Sequence, residues 1–217
     1  MMAKILVIGA SRGIGKAVSE EAAARGHEVR AMSRSGAVTR RRDDRIEGFS
    51  GNALKAADME RALEGIDTVV QALGVEASLK MITEPVTLFS EATRVLLPAM
   101  EKTGVGRLVA VTGFGAGDCA SSVNLLQRLP FRALLGRAYD DKTIQETLIE
   151  GSDLDWLIVR PGVLTNGPKS NCYRVLSEPA EWRNGIVSRA DVADFIVSQL
   201  DNDRLGRKKP VIIRLPL

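Results

Sequence analysis

Three glycines near the start of the chain, Gly9, Gly13 and Gly15, stand at a spacing that backbone chemistry can use. They lie within Gly9-Ala10-Ser11-Arg12-Gly13-Ile14-Gly15, directly after the apolar run Ile5-Leu6-Val7-Ile8 and directly before an alanine-rich helical pattern. A strand that turns into a helix in this way leaves the first N–H groups of the helix without partners, at the end where the macrodipole favours negative charge. One glycine permits the tight turn, one lets the backbone approach a pyrophosphate, and one lets helix and strand pack closely. The chemistry expected here is the holding of a diphosphate by backbone N–H groups.

A second set of side chains closes the next apolar run, Ala31-Met32-Ser33-Arg34-Ser35. Dinucleotide folds that hold NAD commonly place an acid at this point, on the ribose 2′-hydroxyl. This chain has none there. Arg34 can fork onto two oxygens of a 2′-phosphate, Ser33 and Ser35 add hydroxyl donors, and Arg12 can approach the same place. The expected cofactor is NADP(H), preferred over NAD(H). The run Arg40-Arg41-Arg42 reads first as a solvated loop, with a place near the same phosphate as the alternative.

The rest of the composition excludes more than it specifies. At 217 residues with 45% hydrophobic and 26% charged residues, the chain suits a single globular domain over 1–217. Its net charge of +3 does not amount to a nucleic-acid footprint. No apolar run is long enough to cross a bilayer, and the first residues read as a strand and not as a signal sequence, so a cytoplasmic location is expected. One histidine, His27, leaves no histidine-based metal site or triad, and its Gly26-His27-Glu28 turn suggests exposure. Cys119 and Cys172 show no pairing or metal-ligand spacing.

The elements that must position these groups alternate. Strands are expected at Lys4–Ile8, Glu28–Met32, Asp44–Gly48, Asp67–Ala72, Arg107–Thr112, Asp155–Arg160 and Pro210–Arg214. Helices are expected at Ile14–Arg25, Ala56–Glu64, Pro85–Thr103 (kinked or divided at Pro98), Asp140–Glu150 and Arg189–Leu200, the last capped by Ser188. This pattern predicts an α/β fold: one doubly wound, Rossmann-type, mostly parallel sheet with helices on both faces. The aperiodic segments 115–137 and 164–187 follow strand C-termini, where ligands bind in open α/β sheets, and are expected to cover a substrate.

The G-x-x-x-G-x-G spacing resembles the short-chain dehydrogenase/reductase superfamily. On that resemblance, Asn52 and Ala53 stand where relatives touch the adenine, with Asn52 replacing an acid. Ala72-Leu73-Gly74 is similar to the small-residue turn beneath the cofactor ribose, and Pro161-Gly162-Val163 to the turn that holds the nicotinamide carboxamide. The superfamily's usual Ser, Tyr and Lys are only partly matched. Lys142 stands at the Lys position, the Tyr position is Ala138 with Tyr139 one residue away, and Gly113 stands where many relatives carry Ser, next to Thr112. Lys142, Thr112 and Tyr139 are therefore the candidate catalytic residues, with Thr112, Gly113 and Lys142 also facing the cofactor. For Tyr139 the alternative is packing, and for Lys142 a surface pair with Glu146.

Tyr139-Asp140-Asp141-Lys142, the following Leu148–Leu154 stretch and Val187–Ala193 are similar to the atypical branch containing biliverdin-IXβ reductase/flavin reductase. That resemblance implies hydride transfer from NADPH to a planar conjugated acceptor: a flavin, quinone or tetrapyrrole. Phe114, Phe131, Tyr173 and Trp182 are the aromatic candidates to touch it, with core packing expected for at least half. Two other readings stay open: a non-enzymatic NADP(H) sensor that works through a protein partner, and an enzyme resembling sugar-nucleotide epimerases, for which little chain follows Pro161. Neither a nucleic acid nor a membrane is an expected partner.

Overall fold

The computed structural model describes residues 2–36, 44–75, 85–122, 125–201 and 205–216, and within it the side chains of 120–135 are not described. The Arg40-Arg41-Arg42 run and the Phe131 side chain lie outside the described residues.

Strand β1 (Lys4–Ile8) leads into α1 (Gly13–Ala24), followed by β2 (Glu28–Ser33), β3 (Ile46–Ser50), α2 (Ala56–Leu63) and β4 (Thr68–Gln71). Helix α3 (Leu88–Thr103) precedes β5 (Arg107–Val111), a 3-10 turn (Gly117–Ser122), α4 (Leu125–Glu150) and β6 (Asp155–Pro161). The chain ends with β7 (Val163–Thr165), β8 (Arg174–Leu176), β9 (Gly185–Ser188), α5 (Arg189–Asp201), β10 (Val211–Ile213) and β11 (Leu215–Pro216). The large sheet runs β3-β2-β1-β4-β5-β6-β10-β8, parallel except for the edge strand β8. A small sheet, β11-β9-β7, stands beside it.

Alternation in β1 shows how the layers are held. Ile5 and Val7 face one side, with Val18 and Ala22 of α1 and Phe195 and Ile196 of α5. Leu6 and Ile8 face the other, with Met59 and Leu63 of α2 and Leu96 and Met100 of α3. All four strand residues are buried, as expected for a parallel strand covered on both faces. Helix α1 packs on α5, α2 on α3, and α3 on α4.

The structure corrects the sequence-based reading at four points. Strand β3 lies two residues later than Asp44–Gly48, because its weak apolar pattern left the register to its pairing with β2 (Val29 opposite Ile46). The segment 115–137 is not a loop: it holds the 3-10 turn and the first half of α4, which begins at Leu125 rather than Asp140. The segment 164–187 contains β8 and part of β9, strands too short to give a periodic signal. His27 is buried at 1% exposure. Its Nδ1 accepts from the Ala3 N–H, and its Nε2 meets Asp201 at 2.9 Å.

Pro98 sits inside α3 without dividing it, and the helix ends on Gly104 at φ 74. Ser188 caps α5 as expected, its Oγ accepting from the Asp191 N–H at 3.0 Å.

Candidate active site

A cleft of about 1190 Å³ opens at the C-terminal ends of the parallel strands. Gly9, Ser11, Arg12, Gly13 and Ile14 form its floor at the β1–α1 turn; Ser33 and Arg34 come from the end of β2, and Asn52 and Ala53 from the turn after β3. Ala72, Leu73 and Gly74 follow β4, while Thr112, Tyr139, Lys142 and Pro161 close the other end. Six expected residues are not in the wall. Ala10 is buried in the core, Ser35 is exposed in the turn after β2, and Val163 is half exposed. Gly15, Gly113 and Gly162 lie against the backbone of Gly9, the ring of Tyr139 and the backbone of Gly185, respectively.

The three glycines of the first turn divide their work. Gly9, at φ 92, packs so close to the next turn that a Cβ would lie 2.6 Å from the Ala72 carbonyl oxygen. A Cβ on Gly15 would strike the Gly9 carbonyl, so this glycine lets α1 approach β1. Gly13, at φ 62, has nothing within 4 Å of the Cβ position and faces open space. Helix α1 carries no side-chain cap on its first N–H groups and no acid in its first turn. The cradle thus offers backbone donors and positive potential with no built-in anion. Above it, the Ser33 Oγ is buried with no partner among the described residues. The exposed Arg34 guanidinium makes no ion pair among them either. Asn52 is held in an Asx turn, its Oδ1 accepting from the Leu54 N–H at 3.1 Å.

At the other end, α4 brings Tyr139 and Lys142 to the tip of β5. Lys142 Nζ donates to the Thr112 carbonyl at 2.5 Å and lies 5.0 Å from the Phe89 ring centroid and 5.1 Å from that of Tyr139. It is not a surface lysine: burial pulls its pKa down to about 8, against the opposing pull of Glu146. Burial also pushes the Tyr139 phenol up to about 12. The Thr112 hydroxyl donates to Glu146 Oε1 at 2.6 Å, beneath the cleft floor. Glu146 in turn accepts from Arg160 Nε at 3.0 Å and Nη2 at 2.5 Å, in a pair with almost no solvent exposure.

Two further contacts pin α4. Asp141 accepts from the Phe89 N–H at 2.8 Å, capping α3 from another helix. Gln145 Nε2 donates to Gln71 Oε1 at 2.9 Å.

Residues 9–203 match the family described as NAD(P)H-binding. The chain belongs to this family. A chloroplastic protein of Arabidopsis thaliana is 29% identical over 203 residues, covering 91% of this chain and 71% of the other. Among solved structures, ChuY, an anaerobillin reductase from Escherichia coli O157:H7, is similar with a TM-score of 0.78 at 24% identity, over 97% of each chain. A candidate NADH-flavin reductase from Streptococcus pneumoniae is similar with a TM-score of 0.76 at 22% identity, over 98% of this chain and 99% of the other. These likenesses show the Rossmann-like fold.

The four aromatic residues considered for the acceptor are absent from the described lining of the cleft. Phe114 packs with Cys119, Leu176 and Ile213. Tyr173 donates to Asp194 Oδ2 at 2.8 Å and meets the Phe195 ring edge-on. Trp182 lies over the Arg160 guanidinium at 4.8 Å. Among the described residues, the aromatic side chains that line the cleft are Phe89 and Tyr139. Phe89 carried no distinguishing signal, being one apolar residue in an amphipathic helix. Arg189 and Asn166 also line the cleft and were not anticipated. Among the described residues, no group of three or more His, Cys, Asp or Glu side chains could hold a metal ion. No described helix is long and apolar enough to cross a membrane.

Proposed function

We propose that this chain is an NADPH-dependent reductase of a planar conjugated acceptor. The observation that carries the reading is one cleft lined both by a glycine cradle without a built-in anion and by a half-buried lysine–tyrosine pair. The likeness to an anaerobillin reductase and to a candidate NADH-flavin reductase supports it.

The residues fit the cofactor. The Gly9–Gly15 turn and the uncapped N-terminus of α1 hold the pyrophosphate, Ser33 and Arg34 take the 2′-phosphate with Arg12 nearby, and Lys142 faces the ribose and nicotinamide. A charge-assisted bond from Arg34 is worth about 1.5–3 kcal/mol, enough for a roughly 10- to 100-fold preference for NADPH over NADH. When bound, NADPH supplies a hydride, so that NADPH, one proton and the oxidised acceptor give NADP⁺ and the acceptor reduced by two electrons. With its pKa near 12, Tyr139 keeps its proton through neutral pH and can donate a hydrogen bond to a heteroatom of the acceptor. Lys142 remains mostly an ammonium at pH 7 and is held in place by the Thr112 carbonyl. Phe89 and Leu164 give the acceptor apolar walls.

The test is a fluorescence titration with NADPH and NADH, followed by addition of flavin while the absorbance of the reduced nicotinamide is followed. Tighter binding of NADPH and loss of the band on adding flavin support the reading. Binding without oxidation by any flavin, quinone or tetrapyrrole overturns the reductase, and no binding of either nucleotide overturns the cofactor assignment.

A further inference from the structure

The group that holds Lys142 is itself held. Thr112, the first residue beyond β5, is tied at three points. Its N–H donates to the Val159 carbonyl at 2.9 Å, its carbonyl accepts from Lys142 Nζ at 2.5 Å, and its hydroxyl donates to Glu146 Oε1 at 2.6 Å. That carbonyl belongs to the peptide joining Thr112 to Gly113, and glycine by itself leaves such a peptide free to turn. A β-branched side chain is stiff at χ1, so a fixed hydroxyl restrains the backbone that carries it.

Glu146 is anchored from the far side. Arg160 donates to both of its oxygens, from Nε at 3.0 Å and Nη2 at 2.5 Å. Arg160 also meets Asp118 at 2.6 Å, Asp118 meets Lys209 at 2.8 Å, and Lys209 meets Glu150 at 3.1 Å. Lys142, Glu146 and Glu150 lie four residues apart on α4, hence on one face of it. The charges therefore alternate in sign from the cleft to the surface. A buried pair such as Glu146–Arg160 adds little stability over apolar side chains of the same volume, so stability does not account for its place beneath the cleft floor.

Among the described residues, Glu146 makes no direct ion pair with Lys142; Thr112 stands between them. The other groups around the ammonium are Tyr139 and Asp141 on its own helix, the Phe89 ring of α3 and the Thr112 carbonyl. The Asp141 carboxylate is turned to the Phe89 and Ser90 N–H groups, and Arg160 of β6 lies behind Glu146. Glu146 is thus the carboxylate whose field favours the charged lysine against the cost of burial. We propose that Glu146, locked by Arg160, is a positioning residue of this site: it sets the Thr112 peptide that orients Lys142 and keeps the ammonium charged where the nicotinamide is read to lie. This rests on the reductase reading.

The first readout needs no acceptor. Acetylation of Lys142 by acetic anhydride is followed against pH by peptide mass spectrometry in wild type, Glu146→Gln, Thr112→Val and Thr112→Ser. Only the free amine attacks the anhydride, so the midpoint of the rate marks the loss of the lysine's proton. The wild-type midpoint is expected near pH 8. Glu146→Gln, which keeps the shape and removes the charge, moves it down by at least about one unit. The second readout is NADPH oxidation by FMN at pH 7. Thr112→Val keeps the carbonyl and loses the hydroxyl, so kcat falls roughly 10-fold while the KM for NADPH changes less. Thr112→Ser restores the hydroxyl and recovers most of the rate. A purely structural role would lower the melting temperature and leave the midpoint and the kcat of folded protein unchanged. An unmoved midpoint in folded Glu146→Gln, or a wild-type kcat in Thr112→Val, overturns the proposal and leaves the reductase standing. If Glu146→Gln does not fold, the two Thr112 variants still decide it. If the wild type oxidises NADPH with no flavin, quinone or tetrapyrrole, the reductase reading falls, and the acetylation midpoints still show whether Glu146 acts on Lys142.

Discussion

Gly113 and Tyr139 share one volume. A Cβ on Gly113 would lie 2.6 Å from the Tyr139 Oη and 3.2 Å from its Cε1 and Cζ. The position where relatives of the resembled superfamily carry serine is bare, and a phenol hydroxyl from α4 fills the space. The two departures from the expected pattern, a missing serine and a tyrosine displaced by one residue, are therefore one arrangement. Gly113→Ala should cost about 1–3 kcal/mol through overpacking. Tyr139→Phe removes the closest atom, so the double variant should be less destabilised than the sum of the single ones, by at least ~0.5 kcal/mol. Denaturant unfolding of the four proteins measures the coupling, and additive losses would refute the shared volume.

Arg34→Ala should weaken NADPH roughly 10- to 100-fold and leave NADH within about twofold. The reason is that Arg34 lines the cleft beside the unpartnered Ser33 hydroxyl, while an ordinary ribose offers no charge to the guanidinium. Equal losses for both nucleotides in the same titration would remove the 2′-phosphate assignment.

Lys142 predicts a pH dependence. Its pKa in the folded protein, about 8, lies below its ordinary value of 10.5. Below pH 8 the lysine is charged in both folded and unfolded chains, and its burial penalty is fully present. Between pH 8 and 10.5 the unfolded chain binds more protons, so this group's contribution to stability rises with pH. Function should move the other way, with kcat/KM falling above about pH 8 as the ammonium is lost. Lys142→Met should abolish that limb of the profile, and an unchanged limb would assign it to another group.

The Glu146–Arg160 pair should behave as a buried ion pair. Glu146→Ala leaves the fully buried Arg160 without its closest partner and the Thr112 hydroxyl without an acceptor. The expected loss is about 3–5 kcal/mol in chemical denaturation. Asp118, which also accepts from Arg160 at 2.6 Å, is half exposed and screened by water, so Asp118→Ala should cost much less. Similar costs for the two variants would mean that the partial exposure of Asp118 does not weaken its hold.

Asp141→Ala should cost about 0.5–2 kcal/mol, the usual price of a lost helix cap, because α3 has no side-chain cap of its own at Thr87. Asp141→Asn, which keeps an acceptor oxygen, should retain part of the effect. A calorimetric scan of both variants decides it.

The sequence by itself determined the pieces whose physics is local. Gly9, Gly13 and Gly15 act within one strand–turn–helix unit, so their spacing already implied a tight turn, an open face and a close helix contact. Alternating apolar strands and amphipathic helices implied a parallel sheet covered on both sides, and Ser188 announced its helix because a cap bonds only three residues ahead. The third strand was misplaced by two residues because its exposed, weakly apolar residues leave the choice of register to the neighbouring strand. Tertiary structure alone decided which distant side chains meet. Gly113 and Tyr139 touch, Asn166 and Arg189 pair, and His27 disappears beneath Asp201, through sheet register and helix packing that no local pattern encodes. Phe114, Tyr173 and Trp182 are candidates for the acceptor by residue type and place in the chain, with packing expected for at least half; Phe114 is buried, while the half-buried Tyr173 and Trp182 meet Phe195 and Arg160, contacts that only the tertiary structure sets.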